Sequence, residues 1–443
     1  MKSLGLDFGT ANSSIAVSDG VNTDVLALDR AGNPSQSDSA LSNAALSNSP
    51  LSDSPLSDSP LSVSIPSTFF FDFEDDITYI GDDAYERYYL GDKGRFLRSF
   101  KSALGTSTLE HEIQIKRNRY SVKDIIEQYL GIAIGRAEAC LQRPIDHLVV
   151  GRPVHFVDHD PAADSRAEDS LRDIMHNLGV KNIEFQLEPI AAALNYGVTV
   201  NSEELVLVID IGAGTSDFSV VKFTAANQGQ AEVISNCGVH IGGNDFDKVI
   251  ALNQAMPLFG YKQRFKRRAQ LEVPNHYYQN ASSWHKIDLL YDRKVINAMQ
   301  EISPQVFDPE LIDRFLNLLS SRQVHNVLAE VERMKKGYSD NDRSIIDLSF
   351  LEHGLEVNID KEIFHHLIDS MCDDIISNAK QAIELAGLQD QQIDTVYVTG
   401  GSMGIKHLHD KVVQQFAESR IIEGDRATSV ARGLALYAHQ IGF

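Results

Sequence analysis

The sequence predicts an α/β fold in two lobes, and two observations carry that prediction. Leu205 to Phe223 reads LVLVIDIGAGTSDFSVVKF, with apolar runs (Val206, Leu207, Val208, Ile209, then Phe218, Val220, Val221) on either side of a glycine-rich bend. This is the pattern of two strands joined by a tight turn. Residues 4–17, LGLDFGTANSSIAV, repeat it: Asp7, Gly9 and Thr10 match Asp210, Gly212 and the nearby Thr215, again between apolar runs. Internal repetition is architectural information. Two hairpins with acidic turns imply two lobes that grip one polyphosphate from opposite sides.

The second bend carries Asp210, Gly212, Ala213, Gly214, Thr215 and Asp217. Glycine lets backbone amides approach a ligand, and a row of amides in a turn makes an anion nest. The flanking carboxylates do not bind phosphate directly, but as hard oxygen ligands they can hold Mg²⁺ through water. Taken alone, the motif fits a phosphate clasp with a metal seat and a bland glycine-rich hairpin about equally. The second copy decides for the clasp.

Composition bounds the rest. A chain of 443 residues, 43% hydrophobic, holds two to four domains or subdomains with several buried cores. Its formal charge of −22 argues against nucleic acid or an anionic membrane as a partner, since both need a basic face. The one basic run, KQRFKRR at Lys262 to Arg268, is expected to be a solvated helix face. Cys140, Cys237 and Cys372 are widely separated, without metal-ligand spacing, and fit a reducing compartment. The N-terminus runs straight into a strand, and no apolar stretch reaches the ~20 residues of a membrane helix. A cytoplasmic location is the expectation.

Along the chain, residues 1–28 are expected to form the first hairpin and a third strand at Asp24 to Leu28. Ser35 to Ser64 is a degenerate serine, proline and aspartate repeat, ending SPLSDSPLSDSPLSVS, whose isolated leucines cannot offset ordering entropy. It is expected to be a disordered loop at about 33–62. Order resumes with SIPSTFFF and DITYIGDDA. FLRSFKSALG (96–105) places Lys101 among apolar residues, where a snorkelling surface lysine is the ordinary meaning. Helical periodicity marks Ser121 to Leu141 and Arg166 to Leu178, and His147 to Val150 is a strand running into Gly151-Arg152-Pro153.

Glu188-Pro189 opens a helix, with proline in the first turn and the acid at the positive end. After the central hairpin, Gly242-Gly243 ends a strand and Asp245 to Ile250 starts a helix. Residues 251–340 are expected to be helical and polar, with Trp284 and Tyr291 on an amphipathic piece. There Glu332, Lys335 and Lys336 share nearly one helical face, with Ser339 a turn further on; a solvated charged face is the usual meaning. Residues 344–358 are expected to be two short strands and Lys361 to Leu385 a helix pair. Thr395 to Val398 is a buried strand leading into Gly400-Gly401-Ser402. Helix His407 to Phe416 follows, and the last helix carries the stripe Val430, Leu434, Tyr437, Ile441.

The motifs DFGTANS, FKSALG, LEPIAAALNYG, DIGAGTSD, GGNDFD, ERMKKGYS and VTGGS, in this order, resemble those of the DnaK-type heat-shock chaperone family, in its actin-like ATPase domain. Within the family the chain looks most like the short YegD proteins. The match covers nearly the whole chain, apart from the Ser/Pro loop and residues 255–325. The resemblance implies an actin-like ATPase fold with ribonuclease H-like lobes, ATP/ADP and Mg²⁺ in the cleft between them, and K⁺ as a further candidate ion. It makes Gly9, Thr10, Ala11 and Asn12 the first phosphate clasp, and Gly212, Ala213, Gly214 and Thr215 the second. Asp7, Glu188, Asp210 and Asp217 would then serve the metal and Lys101 the γ-phosphate and attacking water, with Asp210 and Thr215 also catalytic. Gly243 would touch phosphate. Glu332, Lys335, Lys336 and Ser339 would hold adenosine on one side, and Gly400, Gly401 and Ser402 on the other. Pro153 and Arg166 match residues that relay the nucleotide state to a peptide-binding domain. Ala11, Ala213, Gly404 and Ala427 depart from the family's pattern.

The expected organisation is a first lobe at 1–199, a second at 200–425 with a helical insertion at 251–340, and a final helix at 426–443 packing back on the first lobe. The expected activity is slow ATP hydrolysis by a monomer, with lobe closure as the output and client proteins or co-chaperones as partners. The usual peptide-binding domain is not expected within this chain. An MreB-type actin-like filament protein and a sugar-kinase-like phosphotransferase are the alternatives on the same fold.

Overall fold

The computed structural model describes residues 2–29, 62–200, 202–224, 231–338 and 343–443. The Ser/Pro loop expected at about 33–62 falls, through residue 61, outside the described residues. The chain divides into two compact units. The first comprises Met1–His240, Ser377–Gly401 and Val413–Phe443, the second Ile241–Ile376 and Ser402–Val412.

Both large sheets belong to the first unit. In one, β1 (Ser3–Phe8), β2 (Asn12–Ser18) and β3 (Thr23–Val25) form an antiparallel meander, and β4 (His147–Arg152) and β5 (Asn182–Leu187) continue in parallel from β1. In the other, β6 (Glu204–Ile211), β7 (Ser216–Phe223) and β8 (Ala231–Val239) form the meander, and β9 (Thr395–Thr399) and β10 (Arg420–Glu423) continue in parallel from β6. The sequence repeat is therefore a topological repeat. In each sheet the acidic turn leaves the central strand. A strand buried on both faces reads as a continuous apolar run, which is why Val206 to Ile209 shows no alternation: all four are fully buried.

Helices cover the sheets. α1 (Val122–Leu141) starts at a capping box between Ser121 and Asp124, and α2 (Pro161–Asn177) starts at the Asp160 cap with proline in its first turn. Leu6, Phe8, Ile125, Ile126, Tyr129, Val150 and Ile174 belong to the core these helices share with the first sheet. α3 (Glu188–Gly197) and α4 (Ser429–Gln440) share a different core with Val149 of one sheet and Val206 and Val208 of the other. The buried face of α4 is not the expected stripe. It runs through Val430, Ala431, Leu434, Ala435 and Ala438, while Ile441 lies past the helix end, 39% exposed. Its small residues let the backbone approach β1, β2 and α3 closely.

The second unit also departs from expectation. Residues 251–340 are not wholly helical: Arg264–Phe265 pairs with Arg268–Glu272, so the basic run lies on a β-hairpin rather than a helix face. Lys361–Leu385 is one helix, not two. Ile368, Cys372, Ile375, Ala379 and Ala382 form one unbroken buried stripe, and Cys372 fills the apparent gap in the pattern. The strands expected at 344–358 are Arg343–Asp347 and Glu356–Asp360. The third strand of the first meander is shorter than expected, Thr23–Val25.

Candidate functional site

The two acidic turns of the first unit meet. A Cβ placed on Gly214 would lie 2.8 Å from the hydroxyl oxygen of Thr10, so any larger residue would have to displace that side chain. Gly400 closes the second turn from the side. Its φ is +85°, and a Cβ there would lie 2.3 Å from the Ile211 carbonyl oxygen and 2.6 Å from Asp210 Oδ1. Behind the first turn, Ser67 donates from its hydroxyl to the Gly9 carbonyl (2.7 Å) and from its amide to the Ala11 carbonyl (2.7 Å). Within the second, the Gly212 amide donates to the Thr215 carbonyl (2.9 Å). Thr10, Ala11, Gly212, Ala213 and Thr215 stay partly exposed and Asn12 exposed, as a ligand-accepting turn requires.

Lys101 and Glu188 come from segments 87 residues apart and meet in this unit, Nζ to Oε1 at 2.8 Å. Lys101 is not a snorkelling surface lysine: its side chain is only 7% exposed. A 3₁₀ turn, Phe100–Ala103, delivers it, and the preceding Ser99 takes a left-handed φ of 58°. Glu188 is the first residue of α3, brought to the end of β5 by Pro189 in the first helical turn.

Three further carboxylates complete the set, and all are pushed up. Asp7 rises to about 7, chiefly by burial and then by the charge of Glu188, against the pull of Lys101. Asp217 rises to about 7 by burial and Glu188, opposed by hydrogen bonds from the Val154 amide and Thr215. Asp210 is driven well above the carboxylate range by burial, then Glu188, Asp217 and Asp7. Three buried acids, Glu188, Asp210 and Asp217, and the partly buried Asp7 beside one lysine leave an excess of negative charge that a cation would neutralise. Among the described residues no group of three or more His, Cys, Asp or Glu is placed to hold a metal ion. This donor set fits a hard cation held through its water shell.

Most of the other expected residues lie in the second unit. Lys335 is buried, with Nζ 2.6 Å from Asp247 Oδ1 and donating to the Gly243 carbonyl at 2.7 Å. Trp284 Nε1 donates to the other Asp247 oxygen at 3.3 Å. Lys336 pairs with Glu332 one turn back at 2.9 Å and is largely exposed. Gly243 opens helix Gly243–Ile250. Gly401 ends a stretch of the first unit and Ser402 begins one of the second. Ser339 lies outside the described residues. Two contributors were missed by sequence reasoning. Ser67 could have been suspected from its place between order-resuming strands, but Val154 acts through its backbone amide, 2.6 Å from Asp217 Oδ1, and no side-chain signal marks it.

Two sheets of one strand order, with paired acidic turns and a buried lysine–glutamate pair beside them, are the layout of an actin-like α/β fold. A family model described as Hsp70 protein matches residues 98–287 and 312–441. The chain belongs to the Hsp70 family, whose members are ATPases that bind ATP or ADP with Mg²⁺. It is a DnaK-like nucleotide-binding protein of that chaperone family. Among the described residues no helix is long and apolar enough to cross a membrane.

Proposed function

We propose that this chain binds ATP with Mg²⁺ and hydrolyses it slowly, with closure of its lobes as the output. The observation that carries this is the set of buried Glu188, Asp210 and Asp217 and partly buried Asp7 around Lys101, next to two facing turns. Phosphoryl transfer asks mainly for positioning and charge neutralisation. The amides of residues 9–12 and 212–215 would cradle phosphates. The four carboxylates would hold the water shell of Mg²⁺, which when bound neutralises charge on the phosphate oxygens. Lys101 would meet the γ-phosphate and the attacking water, and Glu188 would orient that water by accepting a hydrogen bond from it. Gly243, Glu332, Lys335, Lys336, Ser339, Gly400, Gly401 and Ser402 form the proposed phosphate and adenosine contacts, and K⁺ is a candidate second ion. We place the protein in the cytoplasm as a monomer working with client proteins or co-chaperones.

The test is single-turnover hydrolysis of radiolabelled ATP by the whole chain, with EDTA as control. Magnesium-dependent ADP formation is expected, and calorimetry should show ATP and ADP bound more tightly than GTP and GDP. No ADP formation by the wild-type chain at neutral pH would sink the ATPase assignment, and equal affinity for both bases would sink the adenosine contacts.

A further inference from the structure

We propose that Arg152 is a positioning residue for Asp217: it holds the Pro153–Phe156 turn rigid so that the Val154 amide fixes the Asp217 carboxylate. The catalytic consequence rests on the ATP–Mg²⁺ function proposed above; the structural claim does not. Arg152 ends β4, and its side chain is 16% exposed. Its guanidinium meets Asp164 Oδ2 at 2.7 Å and Glu168 Oε2 at 2.5 Å, both on α2. It also donates to the carbonyls of Pro153 (3.1 Å) and Val154 (3.3 Å) and lies over the Phe156 ring, 5.1 Å from its centre. Asp164 is shared, since its second oxygen accepts from the Phe156 amide at 2.5 Å. One planar fork thus grips the turn from both ends, a task suited to arginine and not to lysine.

The output of that grip is one bond, from the Val154 amide to Asp217 Oδ1 at 2.6 Å. Gly238 opposite keeps the space clear: a Cβ there would come within 2.9 Å of the same carboxylate oxygen and 3.1 Å of Val154 Cβ. Asp217 has no lysine or arginine hydrogen-bonded or ion-paired to it among the described residues, so its orientation depends on this amide and on Thr215. Loss of an outer-shell group that orients a metal ligand typically costs about 10–100-fold in affinity or activity.

The decisive measurement is amide hydrogen exchange by NMR on the nucleotide-free chain. Arg152→Gln should speed exchange at Val154 and Phe156 about tenfold or more, while Arg152→Lys, which keeps the charge but not the fork, should fall between it and wild type. Asp164→Asn reaches the same turn from the other side and serves if Arg152→Gln does not fold. Arg172→Gln is the control. It removes a neighbouring arginine that pairs with Glu168 (3.1 Å) without touching the turn, and should leave Val154 protected. In single-turnover hydrolysis Arg152→Gln should lose roughly ten- to a hundredfold in rate with nucleotide affinity nearly unchanged, as misplacement of a catalytic group does. Wild-type exchange at Val154 in both Arg152→Gln and Asp164→Asn would overturn the proposal, as would equal loosening by Arg172→Gln. If the wild-type chain forms no ADP, the proposed function fails, while the exchange data still decide the positioning role.

Discussion

The two acidic turns sit on the same strand pairing, and of the positions at which their residues differ only Ser14 against Asp217 changes charge. Where β1 faces β2, Asp7 stands opposite Ser14; where β6 faces β7, Asp210 stands opposite Asp217. Ser14 is buried, and its hydroxyl makes no hydrogen bond among the described residues. Asp217 is equally buried but is held by the Val154 amide and Thr215. Like charges directly opposed across a strand pair destabilise a sheet. A repeat that keeps the topology in both halves yet doubles the acid in one has concentrated the demand for positive charge on the second turn. The lesson is that topological symmetry places the two turns alike, while under the proposed function the added acid Asp217 would weight the metal site toward the second.

The strongest way to break this comparison is to remove the groups that both turns feel. Glu188 raises Asp7, Asp210 and Asp217 alike, and Lys101 opposes it at each. Glu188→Gln and Lys101→Ala should each lose about 10²–10⁴ in single-turnover hydrolysis. Nucleotide affinity should stay within roughly tenfold, about 1.4 kcal/mol, because these groups act chiefly in the transition state. Hydrolysis at the wild-type rate in Lys101→Ala would end its catalytic assignment.

Making the second turn resemble the first comes next. Asp217→Ser installs the residue found opposite Asp7 and should weaken the Mg²⁺ dependence of nucleotide binding by about ten- to a hundredfold. Titrating fluorescent ADP at graded Mg²⁺ would measure it. An unchanged dependence would mean that Asp217 does not serve the metal.

A smaller effect is expected on stability. Asp7 and Asp217 titrate near 7 in the fold against an ordinary 3.8. Because their folded values are raised, their contribution is fully present below about pH 4 and is lost as pH rises through 7. In EDTA, the melting temperature should therefore rise by several degrees between pH 8 and pH 6, and Asp217→Asn should flatten that rise. A flat profile in wild type would mean that the acids are already compensated. The smallest effect is expected at the other side of the comparison. Ser14→Ala removes a hydroxyl that makes no hydrogen bond among the described residues and should change hydrolysis and Mg²⁺ dependence by less than about twofold. A large loss there would make the two turns functionally equal.

The sequence by itself determined the two hairpins, their shared Asp-x-Gly spacing and the α/β class, because a central strand declares itself by an apolar run and a nest by its glycines. It also marked Glu188 at a helix start, since Pro189 is a local signal. It misjudged the basic run at Lys262 to Arg268, because a short two-stranded hairpin with exposed side chains has no buried face and leaves no period to read. It split Lys361–Leu385 because Cys372 does not look apolar enough to bridge Met371 and Ile375. Only the tertiary structure decided that Lys101 is buried against Glu188 rather than exposed, that Asp210 faces Asp217 while Asp7 faces Ser14, and that the Val154 amide reaches Asp217. Each of these depends on which distant segments are packed together, and a backbone amide aimed at a carboxylate 63 residues away writes nothing into the residues around it.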